Sequence, residues 1–139
     1  MIWRICCIAV LAVLGHAFAW ANGPDDVFRR ARVSMVKVVA AGAEGRTFFG
    51  SAVALPDGNL VTNCHVTRVA QRINLMQGDF SGNVLAQADD VAHDLCRLSL
   101  ESPHTHPASL RDSRSLNIGE TVYAVGFNRG LGLTYQSGQ

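Results

Sequence analysis

Residues 48–66 read FFGSAVALPDGNLVTNCHV, two apolar runs (48–55 and 59–66) on either side of Pro56-Asp57-Gly58. Proline presets φ for the first turn position and glycine tolerates the left-handed one, so the two runs are expected to form a β-hairpin. The second run ends in VTNCHVT (61–67), which places Cys64 and His65 side by side at the end of an apolar strand. A histidine there suits a packed core residue, a metal ligand or a general base, and the neighbouring cysteine is compatible with all three.

The chain on either side is also β-rich. VSMVKVVA (33–40) reads as a strand, preceded by Asp25-Asp26 and VFRRAR. Acids before arginines fit the two ends of a short helix. RINLMQ (72–77) alternates polar and apolar, the glycine-bounded run 78–82 reads as a turn, and NVLAQA (83–88) follows it. DLCRLSL (94–100) alternates again, with Leu95 opposed to Asp94, Cys96, Leu98 and Leu100. Some six short strands by residue 100 predict an all-β antiparallel barrel or sandwich. The polar segment 102–117 contains two prolines and reads as a connector. Two further strands follow, ETVYAVGF (120–127) and LGLTYQSG (131–138). Two strands cannot build a core of their own. Residues 22–117 are therefore expected to form one barrel with its leading helix and connector, and 118–139 the start of a second, truncated one.

The first 21 residues differ in kind. Arg4 precedes an apolar run over 5–14, and Ala17-Phe18-Ala19 and Ala19-Trp20-Ala21 each offer a small-x-small cleavage site. The run is too short for a bilayer core, which takes about 20 residues. It reads as a secretory signal cleaved after Ala19 or Ala21, with an uncleaved anchor as the alternative. Export to a periplasmic or extracellular space follows, with no membrane attachment after cleavage. Cys6 and Cys7 would leave with the signal, so Cys64 and Cys96 remain as an even pair in an oxidising compartment, which suggests a disulfide. Closing a loop of about 30 residues would stabilise the fold by about 3–4 kcal/mol. The formal net charge of +1, with no lysine-rich or arginine-rich run, gives no footprint for nucleic acid.

The motifs, taken in order, carry a resemblance. FFGSAVALPDGNLVTNCHV, then DDVAHDLCRLSL, then LRDSRSLNIGETVYAVGF with GLGLTYQSG, resembles the trypsin-like serine peptidases, and among them the HtrA/DegP-like bacterial branch. The resemblance implies a trypsin-like antiparallel β-barrel and a polypeptide substrate, with no cofactor and no metal. It places His65 as the general base and Asp94 as the carboxylate that orients it. An imidazole with pKa near neutrality can take a serine proton, and a fixed carboxylate selects its tautomer. Asp89 and Asp90 compete with Asp94 for that role, although neither precedes an alternating apolar strand. Cys64 beside His65 and Cys96 two residues after Asp94 would then staple the segments bearing base and orienter.

The resemblance also shows a gap. The family's nucleophile lies in a G-D-S-G-G or G-N-S-G-G motif, and neither occurs in these 139 residues. Ser51 and Ser137 match other strands of the family pattern. The expectation is a fragment of a secreted serine endopeptidase that is inactive as it stands. A catalytically inactive pseudo-peptidase or binding module is the alternative. A third reading is a metal site drawn from Cys64, His65, His93 and Cys96.

Overall fold

The computed structural model describes residues 23–101, 105–129 and 131–139; the expected signal, 1–21, lies outside them. Helix α1 (Pro24–Arg32) starts with proline, which needs no amide partner in the first turn. Asp26 ion-pairs with Arg29 and Arg30 one turn further on. Six strands then wind into a barrel: β1 (Met35–Gly42), β2 (Thr47–Ala54), β3 (Leu60–Thr62), β4 (Ala70–Gln77), β5 (Phe80–Asp90) and β6 (Leu95–Leu100). Their order is β1-β2-β3-β6-β5-β4, every pairing is antiparallel, and β4 closes onto β1. The all-β barrel expected from the sequence is therefore present.

Alternation sets the inward face. Val36, Val38 and Ala40 of β1, Ala52 and Ala54 of β2, Leu60, Leu75 and Leu98 are buried together in one cluster. Leu60 stands opposite Leu98, and Val38 opposite Leu75, so aliphatic pairs meet across the ladders. Removing such a leucine from water contributes about 1.5–3 kcal/mol. The hairpin between β2 and β3 follows from Asp57 and Gly58. Asp57 Oδ1 accepts from the Asn59 amide at 3.0 Å, and Gly58 takes φ of 81°.

Three local expectations change. The run 78–82 is not a turn throughout: only Gly78 and Asp79 turn, and Gly82 lies inside β5, where Phe80 covers the space a side chain would need. A Cβ on Gly82 would lie 2.7 Å from the Phe80 ring. Strand β3 also stops at Thr62, and Cys64–Thr67 form a single helical turn, α2, closed by the Arg68 amide donating to Cys64 O at 2.8 Å. His65 is therefore on a turn and not on a strand. Finally, Asp94 stands outside β6 with left-handed φ of 53°, not on the face that Cys96 shares.

Beyond the barrel, the connector folds back on it. The Ala108 amide donates to Ala54 O at 2.9 Å, and Arg111 pairs with Glu120. Strands β7 (Val122–Phe127) and β8 (Leu133–Gly138) make a second, two-stranded antiparallel sheet. Ser51 couples that sheet to the barrel, its Oγ accepting from the Phe127 amide at 2.7 Å. Phe28 of α1 meets Tyr135 of β8 with ring centroids 5.6 Å apart.

Gly50 is the narrowest point next to α2. A Cβ there would fall 2.8 and 2.9 Å from the two Val66 methyls. Val66 is β-branched and packed, so it cannot swing aside. Gly50→Ala should therefore cost about 1–3 kcal/mol in urea unfolding, the usual range for overpacking. Gly132→Ala, where nothing lies within 4 Å, serves as the control, and equal midpoints for the two variants would refute this packing account.

Candidate active site

The site is built where the end of β3 faces the start of β6. Thr62 pairs with Cys96 in the ladder, so the residues just beyond each meet without a loop between them. On one side the chain leaves β3 through Asn63 and enters α2. On the other, β5 ends at Asp90 and a 3-10 turn over Val91–His93 leads to Asp94. The left-handed φ at Asp94 reverses the chain and directs the carboxylate back toward α2; aspartate tolerates this region better than most residues.

Asp94 then meets three donors from one short segment. Its Oδ2 lies 2.6 Å from His65 Nδ1, and its Oδ1 accepts from the His65 amide at 2.8 Å. Asn63 Nδ2 donates to Oδ2 at 3.1 Å. The Asp94 carbonyl also accepts from the Cys64 amide at 3.2 Å. A carboxylate can only accept, so beside an ionised Asp94 a neutral imidazole carries its proton on Nδ1 and keeps the Nε2 lone pair free. Among the described residues no serine hydroxyl hydrogen-bonds to His65. The imidazole is open to solvent, its side chain 63% exposed against 42% for Asp94.

Cys64 and Cys96 are joined in a disulfide with Cα atoms 4.9 Å apart, and both are buried. The bond ties the turn carrying His65 to the strand that follows Asp94. The four-ligand alternative is not assembled: both sulfurs are used in the disulfide, His65 is taken by Asp94, and His93 Nδ1 lies 2.8 Å from Asp90 Oδ2. Of the competing acids, Asp90 therefore partners His93, while Asp89 lies 3.4 Å from Cys96 Sγ. Two roles were not expected from the sequence, that of Asn63 and that of Asp90, which the sequence offered only as a competitor of Asp94. Asn63 adds a donor to the carboxylate. Asp90 also accepts from the His93 amide at 3.3 Å, holding the turn that presents Asp94. An Asx residue three before a turn amide is the signal that could have marked Asp90.

The Asp94 carboxyl is held below its ordinary value. The ring hydrogen bond from His65 is the main cause and the His65 amide the next, both outweighing desolvation. A carboxyl with a depressed folded pKa stabilises the fold above its unfolded value, near 3.8, and loses that contribution as pH falls through the folded pKa. The stability difference between wild type and Asp94→Asn should therefore be larger at pH 6 than at any pH below 3, measured by denaturant unfolding. A difference that stays constant across that range would exclude the linkage.

Comparison with known proteins bears on this geometry. The chain is similar to the serine endoprotease from Yersinia pestis, with a TM-score of 0.72 and 27% identity over 81% of this chain and 42% of that one. It is similar to the HtrA-type protease AlgW with tripeptide, with a TM-score of 0.71 and 26% identity, over 78% and 36% of the two chains. A protease from M. tuberculosis in its active form shares the fold, with a TM-score of 0.74 at 18% identity, over 99% and 60%. The chain thus spans less than two thirds of the length of each of these structures. No curated protein matches it in sequence. The profile of the trypsin-like peptidase domain matches residues 50–139. Because that match runs over more than half of the sequence and includes both His65 and Asp94, the chain belongs to the trypsin-like peptidase domain family.

Proposed function

We propose that His65 and Asp94 are the general base and the orienting carboxylate of a serine endopeptidase acting on polypeptides. One observation carries the reading: Asp94 grips both the ring and the backbone of His65, at 2.6 and 2.8 Å. Two hydrogen bonds to one residue fix the ring's position as well as its tautomer. In that state Nε2 takes the proton of a serine hydroxyl as the oxygen attacks the peptide carbonyl, and returns it to the leaving amine. Asp94 stabilises the imidazolium formed between these steps and does not itself take the proton.

The serine itself is proposed to come from polypeptide outside residues 1–139. Ser51, the serine of the FGSAV strand, has another task, since its Oγ is engaged by the Phe127 amide. The oxyanion donors belong with the nucleophile loop, so the 139 residues alone are expected to be inactive. The apolar leader and the disulfide support export to a periplasmic or extracellular space, where a cystine persists. No helix among the described residues is long and apolar enough to cross a membrane.

Fluorophosphonate labelling tests the assignment. The native exported product should be labelled at a serine beyond residue 139, His65→Ala should slow labelling by about 10³-fold or more, and the 139 residues alone should not label. Labelling of any serine within 1–139, or labelling indifferent to His65→Ala, would overturn it.

A further inference from the structure

The ladder between β4 and β5 is short. It runs from Gln77 opposite Phe80 to Asn74 opposite Asn83 and ends there. Residues 70–73 keep partners only on β1, where Ile73 faces Ala40 and Arg72 faces Ala41. Residues 84–87 keep partners only on β6, where Ala86 faces Ser99 and Gln87 faces Leu98. Each segment therefore has one paired edge and one bare edge, and the bare edges look at each other. Register shifts at Ala41/Gly42 and at Val84/Ala86 occur on the two flanking ladders at this level, and bulges of this kind bend strands apart. A cavity of about 310 Å³ lies between them.

We propose that this seam accepts an extended peptide of another polypeptide as an added strand, with an acidic residue facing Arg72. Three features define the occupant. The bare edges offer main-chain donors and acceptors on both sides, the requirement for strand addition. Ile73 and Val84 line the cavity and pack against the barrel core, so an apolar side chain of the peptide has a surface to cover. Gln87 stands opposite the buried Leu98 and so points inward, and its Oε1 is buried without a hydrogen-bond partner. An acceptor shut away from water costs about 1–3 kcal/mol until a donor reaches it.

Charge sets the preference. Arg72 lines the cavity, is exposed, and has no ion-pair partner among the described residues; no acid lines the cavity with it. A glutamate or aspartate of the incoming strand completes the pair, and a lysine there is repelled. The seam is formed by β4 and β5 and does not include His65 or Asp94, so this site stands whether or not these two residues act in catalysis.

The test uses the full chain, ¹⁵N-labelled, with the blocked peptide Ac-Val-Thr-Val-Glu-Val-NH₂, its lysine-for-glutamate counterpart, and a version N-methylated at alternate residues. The glutamate peptide should shift the amides of 70–73 and 84–87 saturably and slow their hydrogen exchange. It should bind about tenfold more tightly than the lysine peptide, and Arg72→Glu should reverse that order. N-methylation should abolish binding to the wild-type chain, a result that needs no variant. The proposal is overturned if no saturable shift appears, if the two charged peptides bind alike, if the N-methylated peptide binds as well, or if the shifts fall on β7 and β8 instead.

Discussion

The Asp94 carboxylate is the contact on which the arrangement depends. It gathers the His65 ring, the His65 amide and the Asn63 side chain onto two oxygens. None of these groups is deeply buried, so the bonds compete with water, and no one of them alone would hold the ring. The geometry is fixed because the donors come from Asn63 and His65, two residues apart where the chain leaves β3 and enters α2. The acceptor also comes from a turn held at both ends, by Asp90 before it and by β6 after it. The disulfide between Cys64 and Cys96 crosses behind this contact and limits how far the two turns can separate.

Strand β2 links the site to the rest of the molecule through two adjacent residues. Gly50 leaves the space that Val66 fills, and Val66 anchors the turn that carries His65. Ser51 faces the other way in function. Its carbonyl accepts from Thr62 Oγ1 at 2.8 Å, at the end of β3, and its hydroxyl oxygen accepts from the Phe127 amide in β7. Gly126 matches it, since a Cβ there would lie 3.0 Å from Ser51 Oγ. The G-S pair thus serves the placement of the histidine turn and the docking of the second sheet.

Much of the fold is legible in the sequence because period-two alternation and turn chemistry are local signals. Pro56-Asp57-Gly58 marks its hairpin, and the alternation in 94–100 marks which side chains of β6 enter the core. The histidine turn is less legible for a physical reason. Thr62, Cys64 and Val66 are all buried, a spacing that a strand would also give, and a helix of four residues has too little length for its own period to appear. Asp94 takes its left-handed φ as the cap of the 3-10 turn over Val91–His93, but its carboxylate's partners on Asn63 and His65 lie about 30 residues away, a tertiary contact that no local signal encodes. The glycine pattern at 78–82 misleads for the opposite reason: Gly82 is small to admit the Phe80 ring, not to turn the chain. His65, Asp94, Cys64 and Cys96 could be named from the order of the motifs, whereas Asn63 and Asp90 act through geometry that the order does not carry.

Asp94 is placed to fix the neutral His65 imidazole with its proton on Nδ1, leaving Nε2 as the basic nitrogen. The most direct measurement is the ring ¹⁵N spectrum of His65 in the folded chain at a pH where the imidazole is neutral, for wild type and Asp94→Asn. The wild type should show a protonated Nδ1 and an unprotonated Nε2, with that preference lost in the variant. A wild-type ring protonated on Nε2, or a tautomer unchanged by Asp94→Asn, would contradict it.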